Sequence, residues 1–292
     1  MNCIKIDAHV HLWAKQQGTV GGKPVCSAGN GKADFGGEIR QMMPPYMDDN
    51  RNSAERLIAN MDYARVNGAV ITQEYIDGNQ DVYLLLSKDK YRDRLRICSL
   101  YEERDDFRVD GFDGIKICAG RLKKQDLREH MAVFKEAERL GKFVSIDMAD
   151  GDAQVESMQA VIDECPDLRV AVGHFGMVTT DGWERQIALA KNKNVYIESG
   201  GLTWLFHKEF YPYPSAIDAV ITARDICGMD KLMWGSDYPR TMTDITYIMA
   251  VRFIEETGKL TEDEKRAFLG GNAMRFYGFD FKKPLPVIDN ML

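Results

Sequence analysis

The sequence predicts an α/β fold in which eight parallel strands close into a (β/α)8 barrel, also called a TIM barrel. Three observations support this prediction: short β-rich runs alternate with helical patterns, eight such runs occur, and the chain of 292 residues is long enough for one barrel of roughly 250 residues. Strands that alternate with helices form parallel sheets through right-handed crossovers. Eight strand–helix units are the number at which such a sheet closes on itself.

The predicted strands are short apolar runs bounded by turn residues or by helical patterns. They lie near residues 4–9, 68–72, 95–100, 114–118, 143–148, 170–174, 195–199 and 232–236. The helical patterns between them include 54–66, 124–140, 153–165, 183–191, 215–227 and 243–256. The weakest unit is the gap at 102–111, between the third and fourth strands, which leaves room for one helical turn at best. An open doubly wound sheet therefore stays open as the alternative.

Two segments fall outside the repeat. Residues 12–50 form a long loop after the first strand, rich in Gly, Lys, Met and Pro, and in a barrel such a loop lies over the mouth where ligands bind. We expect it to serve as a lid. Residues 280–292, with Pro284 and Pro286, are expected to form an extended arm that packs on the barrel or on a neighbour. The sequence thus predicts a single barrel domain over 1–279 and a C-terminal extension over 280–292.

Composition and charge exclude several classes of partner. The net charge is -7 and no basic run occurs, which argues against nucleic acid. No apolar run approaches about 18 residues and no signal-peptide pattern opens the chain, so we expect no membrane contact and a cytoplasmic location. The six cysteines lack paired zinc-type spacing and are interpreted as reduced thiols. An acidic protein can still bind an acidic small molecule through a few placed arginines.

Polar residues stand at or near the carboxyl ends of the predicted strands. His9 and His11 are two apart on a strand, so both side chains point to one face and can converge on a metal ion. Side-chain alternation points other polar residues into the barrel or places them at its rim, namely Lys116, Asp147, His174, Glu198 and Asp237. Barrel active sites form at this rim. Because seven such positions are too many for packing alone, the pattern predicts one shared site.

Each of these residues also has a purely structural interpretation. Alone, His174 would be a hydrogen-bonded core histidine and Asp237 would begin a turn. Lys116 would be a buried ion-pair partner of Glu198 or Asp147, and a catalytic role for Lys116 and Glu198 stays open. His130 lies on a helical pattern and is expected to be solvated.

The motifs around these residues resemble a known family. Asp7-Ala8-His9-Val10-His11-Leu12-Trp13, Gly114-Ile115-Lys116, Gly173-His174-Phe175-Gly176 and Trp234-Gly235-Ser236-Asp237-Tyr238-Pro239 are similar to motifs of the amidohydrolase superfamily, in its amidohydrolase-2 branch. The resemblance extends from about residue 4 to Gly271-Asn272-Ala273. It implies a TIM barrel enzyme, and the branch includes lactonases and decarboxylases.

The resemblance also implies roles for the residues. His9 and His11 would be metal ligands, His174 would bind the metal or orient the reacting water or substrate, and Asp237 would be a ligand or general base. Members usually carry a histidine at the end of the fifth strand, where this chain has Asp147. A carboxylate there can also bind a divalent ion, and two histidines with two carboxylates suit zinc or manganese. Some lactonases of the branch work without a metal, so occupancy stays open, and carboxylation of Lys116 is not expected.

These inferences predict a hydrolase that opens a small acidic lactone, derived from a sugar acid or an aromatic breakdown product, with an activated water. Asp237 would take the proton of the water, and His174 or Lys116 would polarise the carbonyl.

Other side chains are predicted to bind the substrate. They are Arg240 and Arg121 for its carboxylate, and Trp13, Trp204 and His207, with the aromatic residues of 204–213, for the wall or lid of the pocket. The alternatives are a metal-dependent non-oxidative decarboxylase and an inactive barrel that binds a partner. Assembly into a homo-oligomer stays open.

Overall fold

The computed structural model describes residues 1–47, 49–104 and 109–288, and at its centre eight parallel strands pair in chain order. The strands are β1 (Ile6–Val10), β2 (Gln17–Val20), β3 (Lys23–Gly29), β4 (Lys32–Phe35), β5 (Ile39–Gln41), β6 (Gly68–Ile71), β7 (Leu95–Leu100), β8 (Gly114–Cys118), β9 (Phe143–Asp147), β10 (Arg169–Val172), β11 (Val195–Glu198) and β12 (Leu232–Met233). The barrel order is β1, then β6 to β12. Backbone bonds from Ala8 N to Trp234 O (2.9 Å) and from Asp237 N to His9 O (2.9 Å) join the first strand to the segment after the last. The predicted (β/α)8 barrel is confirmed, and the open sheet is excluded.

Helices cover the outside of the barrel and close one of its ends. They are α1 (Ala54–Ala64), α2 (Asp81–Lys90), α3 (Met131–Arg139), α4 (Val155–Glu164), α5 (Trp183–Ala188), α6 (Leu202–Leu205), α7 (Pro214–Cys227), α8 (Tyr247–Glu256), α9 (Glu262–Arg266) and α10 (Asn272–Tyr277). In the gap after β7, residues 101–104 and 109–111 contain no helix. The rest of that predicted gap, 105–108, lies outside the described residues.

The barrel interior is filled and does not form a pore. Its inner cluster consists of strand side chains and of aromatic side chains from α10, which closes the end where the strands begin. The ring of Phe143, at the start of β9, lies 4.8 Å from that of Tyr277. Val144 and Ile146 belong instead to the outer cluster between strands and helices, as the alternation in this strand predicts. Among the described residues, the interior is therefore closed at the end where the strands begin, and the barrel is open to a ligand at the opposite rim.

A β-bulge in β1 aims the two histidines inward. Asp7 pairs with Ala69 and Val10 with Ile71, so β1 contains one more residue than β6 between these pairs. Simple alternation would place Asp7 on the same face as His9 and His11. Because of the bulge, Asp7 points outward and accepts hydrogen bonds from Ser236 Oγ (2.5 Å) and from Tyr247 OH (2.8 Å) of α8.

The segment after β1, predicted as a long loop, folds as an antiparallel sheet of β2 to β5. Val20 pairs with Lys23, which leaves Gly21 and Gly22 as a two-residue turn with φ of 56° and 76°. Such turns need positive φ at both positions, and glycine adopts it without strain. The Gly-Gly pair was therefore a hairpin signal that the composition-based interpretation missed.

The C-terminal arm packs on the barrel over its described part, residues 280–288. Arg65 Nε donates a hydrogen bond to Leu285 O (2.9 Å), and Asn67 Nδ2 donates one to Lys283 O (3.0 Å). Residues 289–292 of the predicted extension lie outside the described residues.

Three further expectations concern single residues and the membrane. All six cysteines are free thiols, as predicted. His130, expected to be solvated, is instead buried, with Nδ1 3.1 Å from Tyr101 OH and Nε2 2.9 Å from Lys124 O. It lies at the junction of a 3-10 turn and α3, where both ring nitrogens find partners. None of the described helices has the length and apolar character needed to cross a bilayer.

Candidate active site

Three side chains converge at the open rim of the barrel: His9 from β1, His11 directly after it, and Asp237 from the segment after β12. His9 Nε2 lies 3.1 Å from His11 Nε2, and His11 Nε2 lies 3.0 Å from Asp237 Oδ1. His9 Nε2 is 3.9 Å from the same oxygen. They meet because β1 and β12 are neighbours in the closed barrel and both end at this rim.

Glu198, at the end of β11, holds the ring of His9. Its Oε1 accepts a hydrogen bond from His9 Nδ1 at 2.6 Å, and its Oε2 accepts one from Gly200 N at 2.6 Å. Both side chains are fully buried. Burial lowers the pKa of His9, although the Glu198 carboxylate opposes this shift. His9 is therefore a neutral imidazole whose Nε2 lone pair faces His11 and Asp237.

Three glycines make room for this histidine–glutamate pair. A Cβ atom on Gly235 would lie 2.9 Å from His9 Cβ, and one on Gly200 would lie 2.9 Å from His9 Cγ. A Cβ on Gly173 would lie 2.7 Å from Glu198 Oε1. Real Cβ atoms essentially never approach this closely. The site therefore requires glycine at these three positions, which follow β10, β11 and β12, and the glycines are not only turn residues.

Asp237 is held in an ionised form. Its Oδ2 accepts a hydrogen bond from Trp204 Nε1 at 2.6 Å, so its Oδ1 is left to face the histidines. Burial alone would raise the pKa of Asp237, but the hydrogen bond and charge of His11 hold it well below its usual range. Its backbone has a φ of 59°, in the left-handed region that is uncommon for residues other than glycine.

Asp77 approaches His11 from the other side and was not predicted from the sequence. It lies in the segment after β6, with Oδ2 3.8 Å from His11 Nδ1, and its Oδ1 accepts a hydrogen bond from Gln16 Nε2 at 3.0 Å. Burial raises the pKa of Asp77 to about 6. The only available signal was an acidic residue soon after a predicted strand, and such residues are common in loops.

Lys116, Asp147 and His174 form a second group beside the first. Lys116 Nζ lies 2.6 Å from Asp147 Oδ1, and His174 Nε2 lies 3.5 Å from Asp147 Oδ2. His174 Nδ1 donates a hydrogen bond to Gly200 O at 2.8 Å, and its ring centroid is 4.5 Å from that of His9. Burial alone would lower the pKa of His174, but Asp147 raises it to about 10. Of the two ion-pair partners considered for Lys116, the structure selects Asp147.

A left-handed turn carries His174 into the rim. His174, Phe175, Gly176 and Met177 have φ values of 55°, 49°, 63° and 58°. This conformation costs roughly 1–2 kcal/mol per residue other than glycine. Strained backbone of this kind persists only where the surrounding structure holds it, and the fully buried ring of Phe175 anchors the turn.

A cavity of about 580 Å³ opens above the second group. The side chains that matter for a ligand are Glu74, Arg121, Asp147, His174, Trp204 and Arg240. Arg121 Nε is paired with Glu74 Oε1 at 3.0 Å. The guanidinium of Arg240 lies over the Trp204 ring, 5.2 Å from its centroid, and within the described part of the chain it has no carboxylate partner. Arg240 is therefore the cation that is free to bind an anionic ligand here.

A smaller pocket of about 40 Å³ lies on the His11 side, where Trp13 and Met42 of the segment after β1 meet Asp77 and Arg240. The structure thus places Trp13, Trp204, Arg121 and Arg240 in the walls of these cavities. It does not do so for His207, which is exposed and has Nδ1 2.6 Å from Trp204 O. The chain turns after α6, so this side chain points to the surface. Lys116 Nζ is fully buried and lines neither cavity.

The donor atoms fit a divalent cation. His9, His11 and Asp237 form one possible ligand group, and His9, Asp147 and His174 form another. Separations of 3.0–3.9 Å in the first group are close to the roughly 3.3 Å that bonds of about 2.0–2.1 Å require in a tetrahedral site. A carboxylate behind a histidine, as Glu198 is behind His9, is typical of metal sites.

The charges also fit such an ion. The carboxylates of Asp147, Glu198 and Asp237, none of them more than 15% exposed, outnumber the single charge of Lys116 by two before any proton on a histidine is counted. One divalent ion would balance this excess, and the donor set suits zinc or manganese.

Solved structures with the same fold include proteins that bind metals and small acids. The chain is 16% identical to an amidohydrolase from Burkholderia multivorans with bound zinc, at a TM-score of 0.67, covering 95% of this chain and 100% of the other. It is 19% identical to a probable 2-pyrone-4,6-dicarboxylic acid hydrolase from Acinetobacter baumannii with citric acid bound, at a TM-score of 0.70, covering 96% and 100%. It is 17% identical to a manganese complex of 5-carboxyvanillate decarboxylase from Novosphingobium aromaticivorans, at a TM-score of 0.56, covering 79% and 82%.

No curated protein sequence matches this chain. The family model for the amidohydrolases named Amidohydro_2 matches residues 6–279, which include the whole barrel and every residue of the site described above. The chain therefore belongs to the Amidohydro_2 family of amidohydrolases.

Proposed function

We propose that this protein is a hydrolase that opens a small lactone bearing a carboxylate. The observation that carries the proposal is the position of Arg240, which lies in the wall of both cavities, has no carboxylate partner among the described residues and is close in the chain to the ionised Asp237. An anionic substrate held by Arg240 would place its reacting group near Asp237 and the histidines. The likeness to a probable 2-pyrone-4,6-dicarboxylic acid hydrolase supports a cyclic ester with acidic groups.

We propose His9, His11 and Asp237 as the ligands of a divalent ion, with zinc and manganese as the candidates. When bound there, such an ion would lower the pKa of a water and polarise the substrate carbonyl. Glu198 keeps His9 in the tautomer whose Nε2 is free to bind it.

The side chains supply the proton transfers. Asp237, ionised and facing the cavity side of the histidines, takes the proton of the attacking water and passes it to the leaving alkoxide. His174, which carries a proton at neutral pH, donates a hydrogen bond to the carbonyl oxygen as negative charge develops there. Water is added across the acyl C–O bond, and the product is the open hydroxy acid.

Substrate binding is assigned to the cavity walls. Arg240 binds the carboxylate, Arg121 contributes a second, partly neutralised charge beside Glu74, and Trp13 and Trp204 set the width of the pocket. The role first considered for Lys116, polarising the carbonyl, falls to His174, because Lys116 Nζ does not reach the cavity.

A panel of lactones with and without a carboxylate, assayed for acid release, tests this function. We expect turnover of acidic lactones and a loss on the order of 10³-fold or more in Asp237→Asn. The matched control is Asp218→Asn, an exposed carboxylate on α7, which should keep full activity. Normal turnover in Asp237→Asn would remove the proposed base.

The second candidate is a metal-dependent decarboxylase of a small carboxylic acid. The protonated His174 favours it, because a proton donor near the bound carboxylate could protonate the carbanion that loss of carbon dioxide leaves. The likeness to 5-carboxyvanillate decarboxylase supports the same reading. Carbon dioxide release from aromatic or aliphatic acids, without acid release from lactones, would decide for this activity.

The third alternative, an inactive barrel that binds a partner, predicts gaps in the set of residues at the strand ends. Asp147 was the one apparent gap in the sequence. Its pairing with Lys116 and His174 gives it a partner on each oxygen, which argues against decay of the site. Absence of turnover both of the lactones and of the aromatic and aliphatic carboxylic acids would favour this alternative.

A further inference from the structure

Lys116 is a fully buried cation that the proposed reaction does not use. It lies on β8 with no exposed surface, and its Nζ is 2.6 Å from Asp147 Oδ1. The effective cost of burying an ion is several kcal/mol, which is repaid only by a close and well-placed partner. A lysine at this position is therefore stable only because Asp147 lies beside it. The effect of the lysine on the ligands available at the rim follows from the position of Asp147.

The candidate metal ligands at the rim form overlapping groups. His9 belongs both to the group with His11 and Asp237 and to the group with Asp147 and His174. Asp147 belongs in addition to a third group, with Glu74 and Cys118. The donor atoms at this rim are therefore sufficient for more than one metal ion. Asp147 would be a ligand of the second ion.

Lys116 occupies the place of that second ion. Its ammonium lies 2.6 Å from Asp147 Oδ1, while Oδ2 faces His174 Nε2 at 3.5 Å, so each oxygen of the carboxylate already has a neighbouring nitrogen. A Cβ on Gly173 would collide with Asp147 Oδ1 and lie 3.2 Å from its Cγ, so the absence of a side chain at Gly173 makes room for the carboxylate beside the lysine.

The charge count leads to the same result. Asp147, Glu198 and Asp237 carry three negative charges, and Lys116 with one divalent ion already supplies three positive charges before any proton on a histidine is counted. Glu74, the other carboxylate near Asp147, is already paired with Arg121. A second divalent ion would leave two uncompensated positive charges in a buried site, where repulsion between charges is much stronger than in water.

We propose that Lys116 is a positioning residue that restricts the site to a single divalent ion. The ion is bound by His9, His11 and Asp237, and Asp147 is reserved for Lys116 and His174. This differs from the ligand set that the resemblance implies, in which Asp147 would itself bind the metal. The inference rests on the ion site proposed above, but not on the identity of the substrate.

The test is the number of ions bound, measured by elemental analysis of purified protein after dialysis against zinc and then against metal-free buffer. We expect one ion per wild-type chain and two in Lys116→Met, where Asp147 and His174 become free to bind. The double variant Lys116→Met/Asp147→Asn should return to one. Lys265→Met, which changes a buried lysine outside the site, is the matched control and should bind one. With Mn²⁺, the paramagnetic resonance spectrum should change from that of an isolated ion to that of a coupled pair in Lys116→Met only.

A second comparison covers the case in which Lys116→Met does not fold. Competition with a chelator should show nearly unchanged ion affinity in Asp147→Asn and an affinity reduced by more than about 100-fold in Asp237→Asn. Equal weakening in the two variants would make Asp147 a ligand and overturn the proposal, as would two ions in the wild type or one ion in folded Lys116→Met. A wild type that binds no ion would overturn both this role and the ion site. One ion in the wild type and two in Lys116→Met, in a protein that opens no lactone, would support the role of Lys116 while contradicting the proposed reaction.

Discussion

The imidazole of His9 and the carboxylate of Glu198 are joined by a hydrogen bond of 2.6 Å although they are 189 residues apart in the chain. Neither side chain has any exposed surface. Glu198 also accepts the backbone N–H of Gly200, so its two oxygens are both used. The pair fixes which nitrogen of His9 faces the cavity, and the chemistry at the rim depends on that choice.

Replacing Glu198 with glutamine should therefore weaken ion binding without changing the fold. The amide keeps the volume but removes the charge that favours a proton on His9 Nδ1, and loss of such a partner typically costs 10–100-fold in metal affinity. Chelator competition measures the effect. Glu262→Gln, at an exposed position of α9, should leave the affinity unchanged. Equal affinity in the wild type and Glu198→Gln would show that the pair does not orient His9.

Gly235→Ala should destabilise the protein and disturb His9. The new Cβ would lie 2.9 Å from His9 Cβ and 2.9 Å from Glu198 Oε2, and forcing atoms into a packed core typically costs about 1–3 kcal/mol. Gly258→Ala is the matched control, because nothing lies within 4 Å of its Cβ and its φ is ordinary. Urea unfolding of both variants measures the difference. A Gly235→Ala protein as stable as Gly258→Ala would contradict the proposed close approach.

Gly176→Ala tests the left-handed turn that carries His174. Both Gly176 and Gly141 have positive φ, but only at Gly176 would a Cβ also meet a side chain, at 2.9 Å from Gln186 Cβ. Gly141→Ala should cost about 1 kcal/mol from backbone strain alone, and Gly176→Ala should cost clearly more. Thermal unfolding measures the stability of both. Activity should fall only in Gly176→Ala, because only that turn places a side chain of the site.

The pKa of His174 predicts a pH dependence of stability in protein treated with chelator. Its folded-state pKa of about 10 lies above the usual value of 6.5, so the folded protein binds a proton that the unfolded chain has lost in this range. The resulting stabilisation is complete below about pH 6.5 and is lost as the pH rises through about 10, by up to about 1.4 kcal/mol per pH unit. Urea unfolding between pH 6 and 10 should show this decline in the wild type.

The decline should be much smaller in His174→Gln, which lacks the titrating group, and in Asp147→Asn, which lacks the carboxylate that raises its pKa. Wild-type stability that stays constant or increases from pH 6.5 to 10, with the same profile in His174→Gln, would contradict the assignment.

Arg240→Gln should discriminate between substrates by charge. If Arg240 binds the carboxylate, its loss removes a charge-assisted hydrogen bond and should raise KM for acidic lactones by roughly 10- to 100-fold, with neutral lactones little affected. Arg121→Gln should have a smaller effect, because Glu74 already neutralises that guanidinium. Arg139→Gln, at an exposed site on α3, is the control. The same loss for neutral and acidic lactones would assign Arg240 a structural role.

The barrel itself could be predicted because its signals are local. Alternation of β-rich runs with helical patterns identifies the units, and inward or outward direction follows from the period of two along a strand. His9, His11, His174 and Asp237 could be assigned to one rim for the same reason, since parallel strands of a barrel all end there. The bulge in β1 escaped this reasoning, because it depends on pairing with β6.

Contacts between segments that are distant in the chain could not be predicted from the sequence. Lys116 could have paired with Glu198 or with Asp147, and the choice depends on distances across the barrel. Asp77 and His207 lie on loops, whose paths follow from packing and not from periodicity. Asp77 turns toward His11, and His207 turns to the surface.

By itself, therefore, the sequence determined the barrel and the strand ends at which its polar groups gather, because these follow from residue order and side-chain alternation. Only the tertiary structure decided which charges meet, with His9 held by Glu198 and Asp147 by Lys116. The physical reason is that a buried charge is stable only beside a partner, and partners are set by the geometry of closure and not by distance along the chain.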